Sequence, residues 1–421
     1  MKSSLCKLLV PALLLLAATN ATAKHAKPSR HAATRAVASQ PAAPQPAAQQ
    51  PAASSTAAPQ TGAAIAPPMA APPVIEARNW VLVDFVSGQS LAENNADQRV
   101  EPASLTKLMS AYVVFAALRD GRLKINEDVL ISEHAWRAEG SRTFVQVGTR
   151  VPVDVLVKGM IVQSGNDATI ALAERVGGSE PAFVQMMNAY AQRLGMNGTH
   201  FEDASGLPSP THYSTARDLA TLSRAIIRDF PQFYPLYSMR EFTWNKIRQE
   251  NRNGLLERDS SVDGIKTGHT DSAGYCLISS ALRSGMRLVS VVLGAKSVGA
   301  RESGSAALLT YGYNFYEAVG VKKAHELVLK PRVYKGTEQY VAIAPLTDVQ
   351  VMVPRGQGTT VTTRATVRGP LVAPLAANIA VGELQVDVSG KAVARVPLYP
   401  VAAVGVGGWW RRMIDTIHLW F

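Results

Sequence analysis

The sequence predicts a mixed α/β (α+β) domain over 74–327, followed by a small all-β domain over 328–400. Three observations carry that reading. Between 74 and 327, stretches with apolar residues at helical spacing are interleaved with short apolar runs such as "GYCLISS" and "LVSVVLGA", as in helices packed on a sheet. Beyond Pro331 the character changes, and "VQVMVPRG", "TTVTTRATV" and "GELQVDVSGKAVARVPL" alternate at period two between Gly and Pro punctuation. Ahead of both, no charged residue occurs from 36 to 75, where Ala, Pro and Gln dominate. Such a segment cannot bury enough apolar surface to fold, so the first domain begins after it.

Residues 1–23 read as a secretory signal. Lys2 and Lys7 make a basic start, "LLVPALLLLAA" is an apolar core too short to span a bilayer, and Ala21, Thr22 and Ala23 offer small-residue cleavage. Residues 24–73 read as a disordered Ala/Pro-rich tether. "WVLVDFVSGQSL" then reads as two strands about a turn at Ser87 and Gly88. Helices are expected over 105–118, 153–162, 169–176, 181–194 and 215–227, and strands over 274–280 and 288–295. The first helix follows Pro102, which suits a first turn, and Leu108, Tyr112 and Phe115 recur at helical spacing.

Residues 401–421 form the last unit, with "VAAVGVGG" as a flexible joint before a terminal helix. Winding that helix at about 100° per residue puts Trp409, Trp410, Met413, Ile414, Ile417, Trp420 and Phe421 on one face. Arg411, Arg412, Asp415 and His418 fall opposite, and only Leu419 is misplaced. The segment is too short to span a bilayer, and two adjacent arginines are costly inside one. It therefore reads as an amphipathic membrane anchor lying in the interface, against a competing reading as a helix packed on the β domain.

Lys and Arg total 43 against 32 Asp and Glu, a net charge of +11. The basic residues are scattered rather than interleaved with aromatics, which argues against nucleic acid. An anionic membrane surface or an acidic cell-wall polymer suits them better. Cys6 leaves with the signal, so Cys276 is left alone in an apolar run, where a packed, inert thiol is expected and no internal disulfide can form. No Cys/His cluster has metal-ligand spacing, and no metal or other cofactor is expected.

Ser104 and Lys107 stand at i and i+3 of the first helix, on one face, where they can touch. The same spacing at Ser4 and Lys7 is chance, so the pair alone is a weak signal. Two further motifs follow, Ser164-Gly165-Asn166 at the end of a helical pattern and Lys266-Thr267-Gly268 just before an apolar strand, each occurring once. In this order the three are a strong signal. A serine hydroxyl is a poor nucleophile until a base takes its proton, and lysine holds its own proton to a pH of about 10.4. Burial and a second cation both disfavour the charged form, and Lys266 can be that cation for Lys107. Ser164 can relay a proton to the leaving group, Asn166 can hold a substrate amide, and Gly268 can admit a substrate backbone. The N–H groups of Ser104 and His269 would then point at a developing oxyanion. This describes acyl transfer through a serine ester.

Together with "QENRNGLL", "VDGIKTGHTDSAGY" and "LVSVVLGA…ARESGSAALLTYGYNFYE", these motifs resemble the low-molecular-mass penicillin-binding proteins of the D-alanyl-D-alanine carboxypeptidase family, over roughly 74–399. The resemblance implies a transpeptidase/β-lactamase-like domain on a five-stranded antiparallel sheet with flanking helices, then a β-sandwich and a membrane anchor. It implies peptidoglycan stem peptides as substrates, β-lactams as covalent inhibitors, and a place on the periplasmic face of the inner membrane. On it, Ser104 is the nucleophile, Lys107 its base, and Ser164, Asn166 and Lys266 complete proton transfer and binding. Arg252, Thr267 and Arg301 receive the substrate's terminal carboxylate, and His269 is a pocket wall. A class A β-lactamase would carry Ser-Asp-Asn and a Glu-x-x-Leu-Asn loop, whereas "FEDASGLPSPTHYS" has no such pattern; His212 in that stretch reads as a loop residue. A D,D-endopeptidase shares all three motifs, and a non-catalytic wall-binding protein could retain the fold.

Overall fold

Residues 70–420 are described by the computed structural model. The expected signal, and the tether as far as residue 69, lie outside the described residues. Strands β1 (Asn79–Asp84), β2 (Ser90–Asn94), β3 (Val262–Thr270), β4 (Gly274–Arg283) and β5 (Met286–Ala295) form one sheet in the order β2-β1-β5-β4-β3. Every neighbouring pair is antiparallel, so the expected five-stranded antiparallel sheet is present. Its inner strands read as continuous apolar runs because both faces are covered. Successive residues alternate sides. Val81, Val83, Ile278, Val289 and Val291 enter one core, and Leu82, Leu277, Leu288 and Val292 enter the other.

The first core lies under α1 (Lys107–Arg119), α2 (Asn166–Gly177), α3 (Glu180–Arg193) and α4 (Ala216–Asp229). Eleven consecutive residues of α1, Lys107 to Ala117, are buried, which makes it the domain's central helix. The second core lies under α5 (Val298–Phe315), a helix not expected from the sequence. Its glycines argue against a helix, yet they serve packing: a Cβ at Gly312 would stand 2.5 Å from Leu288. One further expectation needs correction. The segment at 153–162 is an α-helical piece, Val153–Lys158, continued by a π-turn, Gly159–Gln163. Lys266, Thr267 and Gly268 do precede the apolar strand β4, but they also lie inside a strand of their own, the edge strand β3.

The second region holds β6 (Tyr316–Lys322), β7 (Ile343–Ala344), β8 (Val349–Pro354), β9 (Val361–Val367), β10 (Gly382–Val388) and β11 (Lys391–Pro400). A four-stranded sheet in the order β7-β11-β10-β9 shares a core of Val351, Val353, Leu384, Val386 and Leu398 with the β6-β8 pair. Pairing of β6 with β8 begins at Tyr316, earlier than the boundary expected at 328.

The stretch read as a flexible joint is pinned. Val404 is buried, bridges link Leu375 to Val404 and Gly336 to Val406, and the Gly407 N–H donates to the Lys335 carbonyl at 2.8 Å. Helix α6 (Trp409–His418) then turns its polar face inward. Asp415 is buried and accepts from the Lys335 N–H at 2.6 Å and from Arg332 at 3.2 Å. Trp409, Trp410, Met413, Ile414, Ile417 and Trp420 stay exposed. Among the described residues no helix is long and apolar enough to cross a membrane.

Candidate active site

Ser104 lies in the 3-10 turn Ala103–Thr106 that leads into α1, and Lys107 is the helix's first residue. That geometry sets Lys107 Nζ 3.0 Å from Ser104 Oγ. Ala103 holds a left-handed φ of +48°, uncommon for a residue with a side chain and typical of strained functional turns. The edge strand comes close because one of its residues is glycine. A Cβ at Gly268 would stand 3.2 Å from the Pro102 carbonyl and 3.3 Å from Ala103 and Leu105.

The π-turn ends at Ser164, whose φ of +66° turns its hydroxyl toward the same cleft. Among the described residues Ser164 Oγ is buried without a hydrogen-bond partner. Asn166 opens α2, and its Nδ2 donates to the Glu139 carbonyl. Beside it, Asp167 accepts from the N–H groups of Thr143 (2.7 Å), Phe144 (2.8 Å) and Val145 (3.2 Å), fixing the loop that forms the opposite wall. A cleft of about 380 Å³ is lined by Ser104, Ser164, Arg252, Thr267, Gly268, His269 and Arg301, together with Gly140 and Ser141.

Lys107 and Lys266 lie buried beneath it. Burial brings Lys107 down to about 7, opposed by Asp203 and Asp167 and helped by Arg252. Burial also holds Lys266 well below the ordinary lysine range, with the charges of Lys107, Arg252 and Arg301 adding to it. Dehydration, rather than a charged Lys266, is therefore what leaves Lys107 partly neutral at neutral pH. Arg301 reaches in from α5, donating to the Arg252 carbonyl at 3.1 Å and facing the Gly268 and Cys276 carbonyls at 3.5 Å. None of the ion pairs among the described residues involves Lys107, Lys266, Arg252 or Arg301, so no carboxylate of the described chain neutralises the cleft's basic side chains. His269 is exposed at the rim, its ring 4.1 Å from that of Tyr275. Cys276 is buried and its thiol pushed up to about 11, the inert packing expected of it.

The family model for D-alanyl-D-alanine carboxypeptidase matches residues 66–297, and that for the C-terminal domain of penicillin-binding protein 5 matches 316–405. The D-alanyl-D-alanine carboxypeptidase DacC of Escherichia coli strain K12 is 42% identical over 359 residues, covering 82% of this chain and 90% of that protein. The chain belongs to the D-alanyl-D-alanine carboxypeptidase family. The D-alanyl-D-alanine carboxypeptidase DacF of Bacillus subtilis strain 168 is 32% identical over 328 residues, covering 77% of this chain and 84% of its own. The crystal structure of penicillin-binding protein 5 from Haemophilus influenzae superposes with a TM-score of 0.74 at 42% identity, over 80% of this chain and 99% of that one.

Of the ten site residues expected from the sequence, seven line one cleft of the carboxypeptidase, Lys107 and Lys266 lie beneath it, and Asn166 stands beside Gly140 of its wall. The sequence reading missed Ser141, Asp167 and Asp203, and the burial of His212. His212 is the loop residue expected, and it is buried behind the site. Asp167, directly after Ser-Gly-Asn, could have been suspected, since an acid at a helix start often caps backbone N–H groups. Nothing local marked the other three.

Proposed function

We propose that the carboxypeptidase removes the terminal D-alanine of peptidoglycan pentapeptide stems through an acyl-enzyme on Ser104, and that β-lactams acylate the same oxygen. One observation carries this: a buried lysine, held at about 7, stands 3.0 Å from the serine hydroxyl. Such an amine is partly neutral at physiological pH and can accept the proton that an ordinary lysine would refuse. As Ser104 Oγ bonds to the penultimate D-alanine carbonyl carbon, its proton passes to Lys107. The N–H groups of Ser104 and His269 take the oxyanion. Ser164 delivers a proton to the departing D-alanine nitrogen, and water later attacks the ester. Asn166 and the β3 edge hold the peptide backbone, with Lys266 closing the base of the site beneath it. Arg252, Thr267 and Arg301 take the terminal carboxylate, a role supported by two arginines that lack ion-pair partners in the described chain.

The deciding experiment incubates purified protein with a D-Ala-D-Ala-ended pentapeptide and measures free D-alanine. Amidating the peptide's C-terminus should cut turnover severely. Equal cleavage of free and amidated peptides, or efficient cutting of cross-linked dimers, would favour a D,D-endopeptidase. A folded protein that releases no D-alanine would be a wall-binding protein. The same reading places the enzyme, after export, at the periplasmic face of the inner membrane, attached peripherally to anionic lipid through 409–421. Its support is the outward apolar face of α6 and the net charge of +11; Phe421 lies outside the described residues.

A further inference from the structure

Behind the cleft sits a buried cluster that the three motifs do not include. His212, 1% exposed, sets Nδ1 at 3.3 Å from Asp203 Oδ2 and Nε2 at 2.9 Å from Thr106 Oγ1. The Asp203 carboxylate accepts from the N–H groups of Ser205 (2.6 Å), Gly206 (2.6 Å) and Leu207 (3.1 Å), which fixes the shape of that short loop. From the loop, the Ser205 carbonyl accepts from Lys107 Nζ at 2.7 Å, and the Ala204 carbonyl accepts from the Ser110 hydroxyl one turn along α1. Thr106 and Lys107 are neighbours, so the chain of contacts from Thr106 through His212, Asp203 and Ser205 returns to Lys107 and closes a ring. The loop reaches the turn only because Gly206, at φ +92°, has no side chain; a Cβ there would stand 1.9 Å from the Ala103 carbonyl.

We propose that Asp203 and His212 are positioning residues that aim Lys107 at Ser104 through the Ser205 carbonyl, an inference that rests on the role of Lys107 as base. A neutral amine has two N–H bonds and one lone pair. A carbonyl that takes one N–H restricts how the group can turn and leaves the lone pair for the Ser104 O–H. Misplacing a reacting group by about 1 Å can cost roughly 10²-fold in rate, so a loop that sets this carbonyl is part of the machinery. The charge environment is shared among several elements. Asp203 on the loop and Asp167 on α2 favour charged Lys107, Arg252 disfavours it, and Lys266 on β3 faces it from below. Burial would raise Asp203, but His212 and the N–H groups of Gly206 and Ser205 hold its carboxyl at about 2, so it stays an anion.

The test measures acylation of the full-length protein by a fluorescent penicillin across pH, with thermal melts, for Asp203→Asn, His212→Ala, His212→Gln and Lys107→Ala. His212→Ala should slow acylation about 10-fold or more at saturating penicillin, leaving the half-saturating concentration in place. His212→Gln, whose amide can donate to Asp203 and accept from Thr106, should recover most of that rate. Asp203→Asn should slow acylation roughly 10²-fold. It should also move the acid limb of the profile to lower pH, because the anion favouring ammonium is gone. A merely structural role would lower melting temperatures and the labelled fraction without moving that limb. The proposal is overturned if Asp203→Asn and His212→Ala acylate within about twofold of the parent with the limb unmoved while Lys107→Ala is inactive. Should Asp203→Asn fail to fold, the two His212 variants decide, and equal rates for Ala and Gln overturn it. A fully active Lys107→Ala would instead remove the base itself, and this inference with it.

Discussion

In the cleft, two lysines are buried; on the terminal helix, six large apolar side chains lie open. Lys107 and Lys266 are 2% and 4% exposed, whereas Trp409, Trp410, Met413, Ile414 and Ile417 of α6 and Trp420 just past it are 47% to 84% exposed and Asp415 only 3%. Both regions invert the ordinary partition of charge and grease. Their remedies differ. Asp415 keeps its charge because Arg332 and the Lys335 N–H satisfy it. The lysines have no ion-pair partner among the described residues, and burial shifts both toward the neutral form. A compensated buried charge holds structure, while an uncompensated one becomes chemistry.

The strongest way to break this contrast is to remove the groups said to react. Ser104→Ala should abolish D-alanine release and penicillin labelling, a loss of roughly 10³-fold or more, with an unchanged melting curve. Lys107→Ala should cost nearly as much, since the two act as a unit. Labelling that survives in folded Ser104→Ala would mean the acylated serine lies elsewhere. Next in size is the carboxylate clamp. Arg301→Ala should lower kcat/KM on free-acid peptides by roughly 10²-fold and act far less on amidated ones, as expected for a charge-assisted pair. Equal losses on both would assign Arg301 to the fold.

The third prediction concerns pH. Lys107 titrates near 7 in the fold against 10.5 ordinarily, so between those values the unfolded chain binds more protons. Stability should therefore rise with pH through that window, fall as pH is lowered from about 10.5 toward about 7, and level off below it, with Lys266 contributing in the same direction. Acylation should rise over the same acid limb. In Lys107→Met the rise of Tm with pH should flatten; an unaltered slope would show that Lys107 stays charged when folded.

The smallest effect on turnover belongs to α6. A chain ending at Gly408 should keep its activity on small peptides and lose its binding to anionic vesicles. The cut belongs there because Val404 is buried in the β domain. Binding by the full-length protein should weaken only partly with salt, since the apolar face remains. Equal sedimentation of both forms would exclude α6 as the anchor. Asp415→Ala should cost about 1–2 kcal/mol of stability, read by denaturant melting, without altering turnover.

How far all this was legible follows the reach of each signal. Ser104 and Lys107 were readable because their contact is local, three residues apart across the 3-10 turn that opens α1. The helix expected over 215–227, observed as α4, and the sidedness of α6 were readable for the same reason. Strand β3 was not, because Lys266, Thr267 and Gly268 interrupt the apolar pattern where it lines the cleft. Helix α5 was hidden by Gly299, Gly304 and Gly312, of which Gly304 and Gly312 serve close packing against Val292, Leu288 and Leu82 of the sheet. The left-handed turn at Ser164 ends a π-turn that apolar spacing does not mark, and the contact of Asp203 with His212 bridges nine residues of loop. No spacing rule announces them.

The docking of Asp415 has a mechanical consequence. A helix hung on a loose hinge would let the rest of the molecule swing about it. This one is pinned at its polar face, and the hinge before it is stitched to the β domain by Val404, Val406 and Gly407. Torque applied at the six outward side chains passes into the β domain instead of being lost at a swivel. Whatever surface accepts those side chains therefore sets the heading of the whole second region, as a keel sets that of a hull.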